Sequence, residues 1–151
     1  MNGADPCLVE AQQVLKKADL MYSAKQIDQA ISQLAERINR QFANTSQAVI
    51  VIPIMNGGLV LSGHLISRLE FPLLVDYLHA TRYRNKTSGT DLQWIAKPQL
   101  DLTGKIVLII DDILDEGHTL SEVLSFCAEQ GAEQVCSAVL VEKNHGRKVP
   151  Q

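Results

Sequence analysis

Cysteine is scarce, with three residues, Cys7, Cys127 and Cys136, far apart and odd in number. Their spacing suits neither a disulfide framework nor a zinc site, so they read as ordinary thiols of a reducing compartment, with a cytoplasmic location expected. Long apolar runs are missing as well. The longest, Ala48 to Met55, has eight residues including Pro53, far short of a membrane span. No apolar segment with basic flanks opens the chain, which argues against a secretory signal. Lys and Arg form no cluster, and 14 of them face 17 Asp and Glu for a net charge of -3. A dedicated nucleic-acid binder, which lives on phosphate neutralisation, is thereby disfavoured. Neither G-x-G-x-x-G nor G-x-x-x-x-G-K-[ST] occurs, so dinucleotide and P-loop readings lose their main support. Repeats, low-complexity tracts and linkers are absent too. What remains is one domain over residues 1–151, 46% hydrophobic and 21% charged. A chain of that size buries roughly two-thirds of its unfolded surface. An enzyme, a small-ligand binder or an interaction module all fit.

Periodicity sets out the elements. Leu8 to Leu20 is helix-prone but weakly patterned. Ser23 and Gln26 suit a capping box, and Ile27, Ala30, Ile31, Leu34, Ile38 and Phe42 then recur at helical spacing. Ala48 to Ile54 is short, β-branched and continuously apolar, as a strand buried on both faces would be. Gly57-Gly58 breaks it, a helical stretch follows from Leu59 to Leu69, and Leu73 to His79 reads as a second strand. Ala80 to Asp91 is polar enough to be a mobile loop. Ile106 to Ile110 forms a third strand, Leu120, Val123, Leu124, Cys127 and Ala128 a helical stripe ending near Gly131, and Val135 to Val141 a fourth strand. Buried strands alternating with helices predict an α/β fold, a mainly parallel sheet flanked by helices. Ligands of such sheets gather at the carboxyl ends of the strands, here after Ile54, His79, Ile110 and Val141.

One of those ends is chemically dense. After Ile110 come Asp111 and Asp112, then a short loop with Gly117 and Thr119, then an amphipathic helix. A helix N-terminus offers unpaired N–H groups and a positive dipole end, so this loop is suited to a phosphate. Upstream carboxylates are suited to accept hydrogen bonds from sugar hydroxyls. The pattern alone fits a plain strand–loop–helix turn with acids facing water equally well, with Asp115 as the helix N-cap.

The stretch Asp111-Asp112-Ile113-Leu114-Asp115-Glu116-Gly117-His118-Thr119 resembles the phosphoribosyl-pyrophosphate (PRPP) signature of type I phosphoribosyltransferases. The acid at Asp115 is similar to the hypoxanthine-guanine branch. The likeness extends to Met55-Asn56-Gly57-Gly58, to Val75 through Arg84, and to Val139 through Lys143. It implies transfer of phosphoribose from PRPP to a 6-oxopurine, hypoxanthine or guanine, releasing pyrophosphate in a purine-salvage reaction. By the same resemblance Asp115, Glu116, Gly117, His118 and Thr119 cradle the 5′-phosphate, and Asp111 and Asp112 hold the ribose hydroxyls. Asp115 handles the proton at purine N7, and Lys143 reads the oxygen at purine C6. Met55, Asn56, Gly57 and Gly58 receive pyrophosphate, often across a cis peptide at Met55–Asn56, and Arg82 and Tyr83 close over it in a flexible lid. Mg²⁺ is the implied cofactor, with Asp111 and Asp112 contacting it indirectly or through ribose hydroxyls. A homodimer or homotetramer is the implied assembly.

Two positions depart from the pattern. Glu116 stands where Thr or Ser is usual, which removes a hydroxyl and predicts a side chain turned to solvent and weaker PRPP affinity. Arg82 replaces a common Ser or Thr, and fits either a contact to pyrophosphate or a solvated surface. Members of the family continue beyond the Arg147–Pro150 region with a strand, a stacking aromatic and an acid, whereas no aromatic follows Phe126 here. A shortened sequence, lacking the segment that covers the base, is therefore expected. His64, His79, His118 and His145 show no metal spacing and read as structural or solvated. A PRPP- or nucleotide-sensing module without catalysis is the alternative of another class, and an inactive interaction domain a third.

Overall fold

The computed structural model describes residues 5–82 and 92–144. Helix α1 (Pro6–Lys17) leads to α2 (Ala24–Phe42), strand β1 (Val49–Met55) and helix α3 (Gly58–Ile66). Strands β2 (Leu73–Val75), β3 (Leu78–Arg82), β4 (Leu92–Ala96) and β5 (Ile106–Leu114) follow, then helix α4 (His118–Glu129) and strand β6 (Gln134–Glu142). The sheet runs β4-β3-β1-β5-β6, and β2 pairs with the first half of β1. Every pairing is parallel except β3 with β4. The expected α/β class, a mainly parallel sheet with flanking helices, is what forms.

The continuous apolar strands are explained by two cores. Val49, Val51, Leu108 and Ile110 pack with Ile31, Ala35, Ile38 and Phe42 of α2 and with Leu61 and Leu65 of α3. Ile50, Ile52, Val107 and Ile109 pack on the other face with Leu120, Val123 and Cys127 of α4. Side chains alternate along a strand, so both parities must be apolar when both faces are covered. Each fully buried aliphatic contributes about 1.5–3 kcal/mol against exposure. The predicted capping box starts α2: the Gln26 N–H donates to Ser23 Oγ at 3.3 Å, and the Ser23 N–H to Gln26 Oε1 at 2.8 Å. Gly131, at φ 82°, takes the left-handed position after α4. In α1 no residue is buried, which accounts for its weak pattern. Among the described residues, no helix is long and apolar enough to cross a membrane.

Three of the differences from the sequence reading bear on the site. The expected strand Leu73–His79 breaks into β2 and β3 at Asp76, whose carboxylate accepts the N–H groups of Tyr77, Gln99 and Leu100 at 2.6–2.8 Å. An acid serving a crossing segment cannot continue an apolar ladder. Ala80 to Arg82, expected as loop, extend β3 and pair with β4; residues 83–91, the rest of that loop, lie outside the described residues. The third strand does not stop at Ile110: β5 runs through both acids to Leu114 because β6 runs beside it, Asp111 opposite Val139 and Leu114 opposite Glu142.

Candidate active site

Because β1, β3, β5 and β6 are parallel, their carboxyl ends share one edge of the sheet. Asn56, Arg82, Asp115 and Lys143 end or follow these four strands. Arg82 is placed as backbone at the end of β3, and Tyr83 lies outside the described residues.

The longer β5 leaves only Asp115, Glu116 and Gly117 between strand and helix. Gly117 takes a φ of 86° and is the N-cap of α4, without a side-chain cap. A left-handed N-cap is open to glycine at no steric cost. Asp115 is therefore not the N-cap residue, and that plainer account of it is removed. Its carboxylate meets Lys143 Nζ at 2.6 Å, an ion pair in which both side chains are about half exposed, 50% and 49%. The backbone sets up the meeting, since the Lys143 N–H donates to the Leu114 carbonyl at 2.9 Å and carries the β5–β6 ladder one residue further. Two residues 28 apart in sequence, expected at different atoms of one base, thus stand side by side. Glu116, expected to point to solvent, is 42% exposed with Oε2 3.8 Å from His118 Nε2. It is only partly turned outward, and it has a neighbour that the sequence reading missed.

Strand alternation separates the two acids. Ile109 belongs to the α4-side core and Ile110 to the α2/α3-side core, so Asp111 follows the first and Asp112 the second. Asp111 is partly buried and its carboxyl is pushed up to about 6, first by desolvation; the Asp112 N–H on its Oδ1 at 3.0 Å opposes the rise, and the Asp112 charge adds to it. Asp112 is exposed and lies against the turn after β1. A Cβ added to Gly57 would come within 2.6 Å of Asp112 Oδ1. One added to Gly58 would come within 2.5 Å of the Ile110 carbonyl oxygen. Both glycines are thus required by close approach, although Gly57 has ordinary helical angles. The Met55–Asn56 peptide between strand and turn is cis.

Of the other histidines, His64 is exposed on α3 and His79 lies in β3; His145 is outside the described residues. A cavity of about 410 Å³ lies between α2 and β6, lined by Tyr22, Gln26, Ile27, Leu140 and Glu142 among others. It borders the strand that delivers Lys143 but not the α4 N-terminus.

A helix start with a left-handed glycine cap, two acids near the carboxyl end of β5 and a glycine turn share one edge of a mainly parallel α/β sheet, the edge where such sheets bind their ligands. Residues 19–151 match the family model described as phosphoribosyl transferase domain, and the chain belongs to that family. It is 28% identical over 131 residues to the hypoxanthine phosphoribosyltransferase of Buchnera aphidicola, covering 86% of this chain and 74% of that protein. With the hypoxanthine-guanine phosphoribosyltransferase of Aquifex aeolicus it shares 25% over 136 residues, 89% of this chain and 75% of the relative. Among solved structures, a hypoxanthine-guanine phosphoribosyltransferase from Bacillus anthracis superposes with a TM-score of 0.80 at 26% identity, covering 89% of this chain and 79% of that one. These relatives set the chain in the hypoxanthine-guanine branch.

Proposed function

We propose that the protein transfers the 5-phosphoribosyl group of PRPP to hypoxanthine or guanine, giving IMP or GMP and pyrophosphate. The observation that carries this reading is the Asp115–Lys143 pair, 2.6 Å apart beside the glycine-led start of α4. An acid and an ammonium at one sheet edge offer an acceptor for a ring N–H and a donor for an oxo group, which suits a 6-oxopurine and disfavours a 6-amino one.

The chemistry follows from the placements. The 5′-phosphate sits on the first N–H groups of α4, with the Thr119 hydroxyl and the backbone of Asp115, Glu116, Gly117 and His118 around it. Asp111 and Asp112 accept hydrogen bonds from the ribose hydroxyls, Asp112 reaching in from the side of the β1–α3 turn. Met55, Asn56, Gly57 and Gly58 receive pyrophosphate on backbone N–H groups; by the family resemblance alone, Arg82 and Tyr83 would close over it. Purine N9 attacks C1 as the bond to pyrophosphate breaks, and positive charge moves onto the base. Asp115 takes the N7 proton, while Lys143 donates to the oxygen at C6. Positioning of the two substrates supplies several kcal/mol of the barrier reduction.

Among the described residues no three His, Cys, Asp or Glu side chains gather as a metal cage. Two carboxylates near the carboxyl end of β5, one partly buried and one exposed, suit a hard cation held largely by substrate oxygens and water. Asp111 and Asp112 would contact Mg²⁺ there indirectly or through the ribose hydroxyls, and the ion would neutralise charge on the departing pyrophosphate.

The transferase names of the relatives support catalysis over the sensing alternative. Three unbridged thiols support a reducing, cytoplasmic setting. Exposed apolar side chains at Leu59, Val60, Val75 and Tyr77 support self-association as a homodimer or homotetramer, which sedimentation at micromolar concentration would measure. The decisive assay is Mg²⁺-dependent IMP formation with Asp115→Asn alongside. We expect kcat to fall about 10²–10³-fold while PRPP affinity changes little. Full activity in that variant would remove the proton-acceptor role.

A further inference from the structure

The turn from β1 to α3 lies between two strands that bring it opposite chemistries. In the order β3-β1-β5 it has β3 on one flank and β5 on the other. Alternation settles which side chains share its face. Val49 and Val51 of β1 lie in the α2/α3-side core and Ile50, Ile52 and Ile54 in the α4-side core, so Met55 faces the α3 side. On β5 the residue on that side is Asp112, which lies against Gly57. On β3, Leu78 and Ala80 lie in the α4-side core, which puts His79 on the α3 side, paired with Met55 in the parallel register. Parallel neighbours stand about 4.8 Å apart, so the imidazole flanks the start of the turn. His79, expected from the sequence to be structural or solvated, is partly buried. Among the described residues its ring makes no hydrogen bond or ion pair.

We propose that His79 is a pyrophosphate-binding residue: it donates a ring N–H to the pyrophosphate oxygens of PRPP from the flank of the turn opposite Asp112. The proposal rests on the phosphoribosyl-transfer reading above and adds a side chain to its pyrophosphate subsite. A polyanion needs donors. The Asp112 carboxylate has none to give, whereas an imidazole carries at least one N–H in either protonation state. Hydrogen bonds to charged oxygens are the stronger kind. The 5′-phosphate lies at the start of α4, beyond β5 and so two strand spacings from β3, roughly 10 Å. His79 therefore touches one end of PRPP and not the other.

That asymmetry is what the test reads, with magnesium pyrophosphate and ribose 5-phosphate titrated separately by calorimetry into the full chain and its variants. We expect His79→Leu, which keeps bulk and loses the donor, to weaken pyrophosphate binding and raise the PRPP KM about fivefold. Its affinity for ribose 5-phosphate and its KM for hypoxanthine should stay within about twofold of wild type. His79→Gln retains an N–H donor and should remain within about twofold for every ligand. Equal losses for pyrophosphate and ribose 5-phosphate, as a displaced strand would cause, would overturn the proposal, and so would no loss for either. A His79→Gln variant as impaired as His79→Leu would overturn it too. Wild-type protein that binds pyrophosphate but forms no IMP would instead overturn the transfer reading, while the pyrophosphate titrations still judge His79.

Discussion

At the scale of the residue, Asp111 carries the clearest conflict between stability and use. Burial lifts its carboxyl from 3.8 to about 6, so the folded protein holds this proton more tightly than the unfolded chain does. Its favourable contribution is fully present below about pH 4 and is lost as pH rises through about 6. Asp111→Asn keeps the neutral form at every pH. We therefore expect it to stabilise the protein by about 1–2 kcal/mol at pH 7, after allowance for partial solvent screening. The difference from wild type should vanish near pH 4, as thermal melts across that range would show. The same variant should bind PRPP more weakly, because an amide is a poorer acceptor for ribose hydroxyls. Cys127 shows the contrasting case of a buried group with no such use: its thiol, pushed up to about 11 by desolvation, stays protonated inside the α4 core.

At the scale of the element, the turn from β1 to α3 and the end of β5 act as one unit. Gly57 has helical angles that alanine would adopt readily, so the cost of a methyl there comes from its 2.6 Å approach to Asp112 Oδ1. Gly57→Ala should raise the PRPP KM about tenfold through displacement of Asp112, at about 1–3 kcal/mol of overpacking. In an Asp112→Ser background the same change should have little effect, and an unaltered penalty there would disprove the coupling. A pair of glycines after a strand is a weak signal in the chain and marks a turn at most. Its necessity emerges only when β5 lies alongside. Legibility varied in the same way elsewhere. The α2 stripe and the Ser23–Gln26 cap were readable because they involve residues within a few positions of one another. Strand β4 was not, since Leu92 to Ala96 becomes a strand by pairing with β3 across a separate segment.

At the scale of the whole molecule, the two-faced sheet explains why function sits where it does. The carboxyl ends of four parallel strands meet at one edge, and every described residue assigned a role by resemblance lies there or in the loops and helix starts that follow. Helix α1 lies outside this economy. None of its residues is buried, and Val14 and Leu15 are 61% and 82% exposed. Removing residues 1–17 should shift urea-denaturation stability by no more than about 0.5 kcal/mol. A larger loss would mean that α1 is covered by something beyond a single copy of the chain.

Local order in the chain by itself determined the α/β class, the buried strands β1 and β5, the capped α2 and the chemically dense segment after Ile110, because hydrophobic periodicity and turn chemistry act over neighbouring residues. Only the tertiary structure decided that β5 continues to Leu114, that Asp111 and Asp112 face opposite sides, that Gly57 leaves room for a carboxylate, and that Asp115 meets Lys143. Each of these depends on which strand lies beside which, and pairing between distant segments is settled by packing the whole sheet.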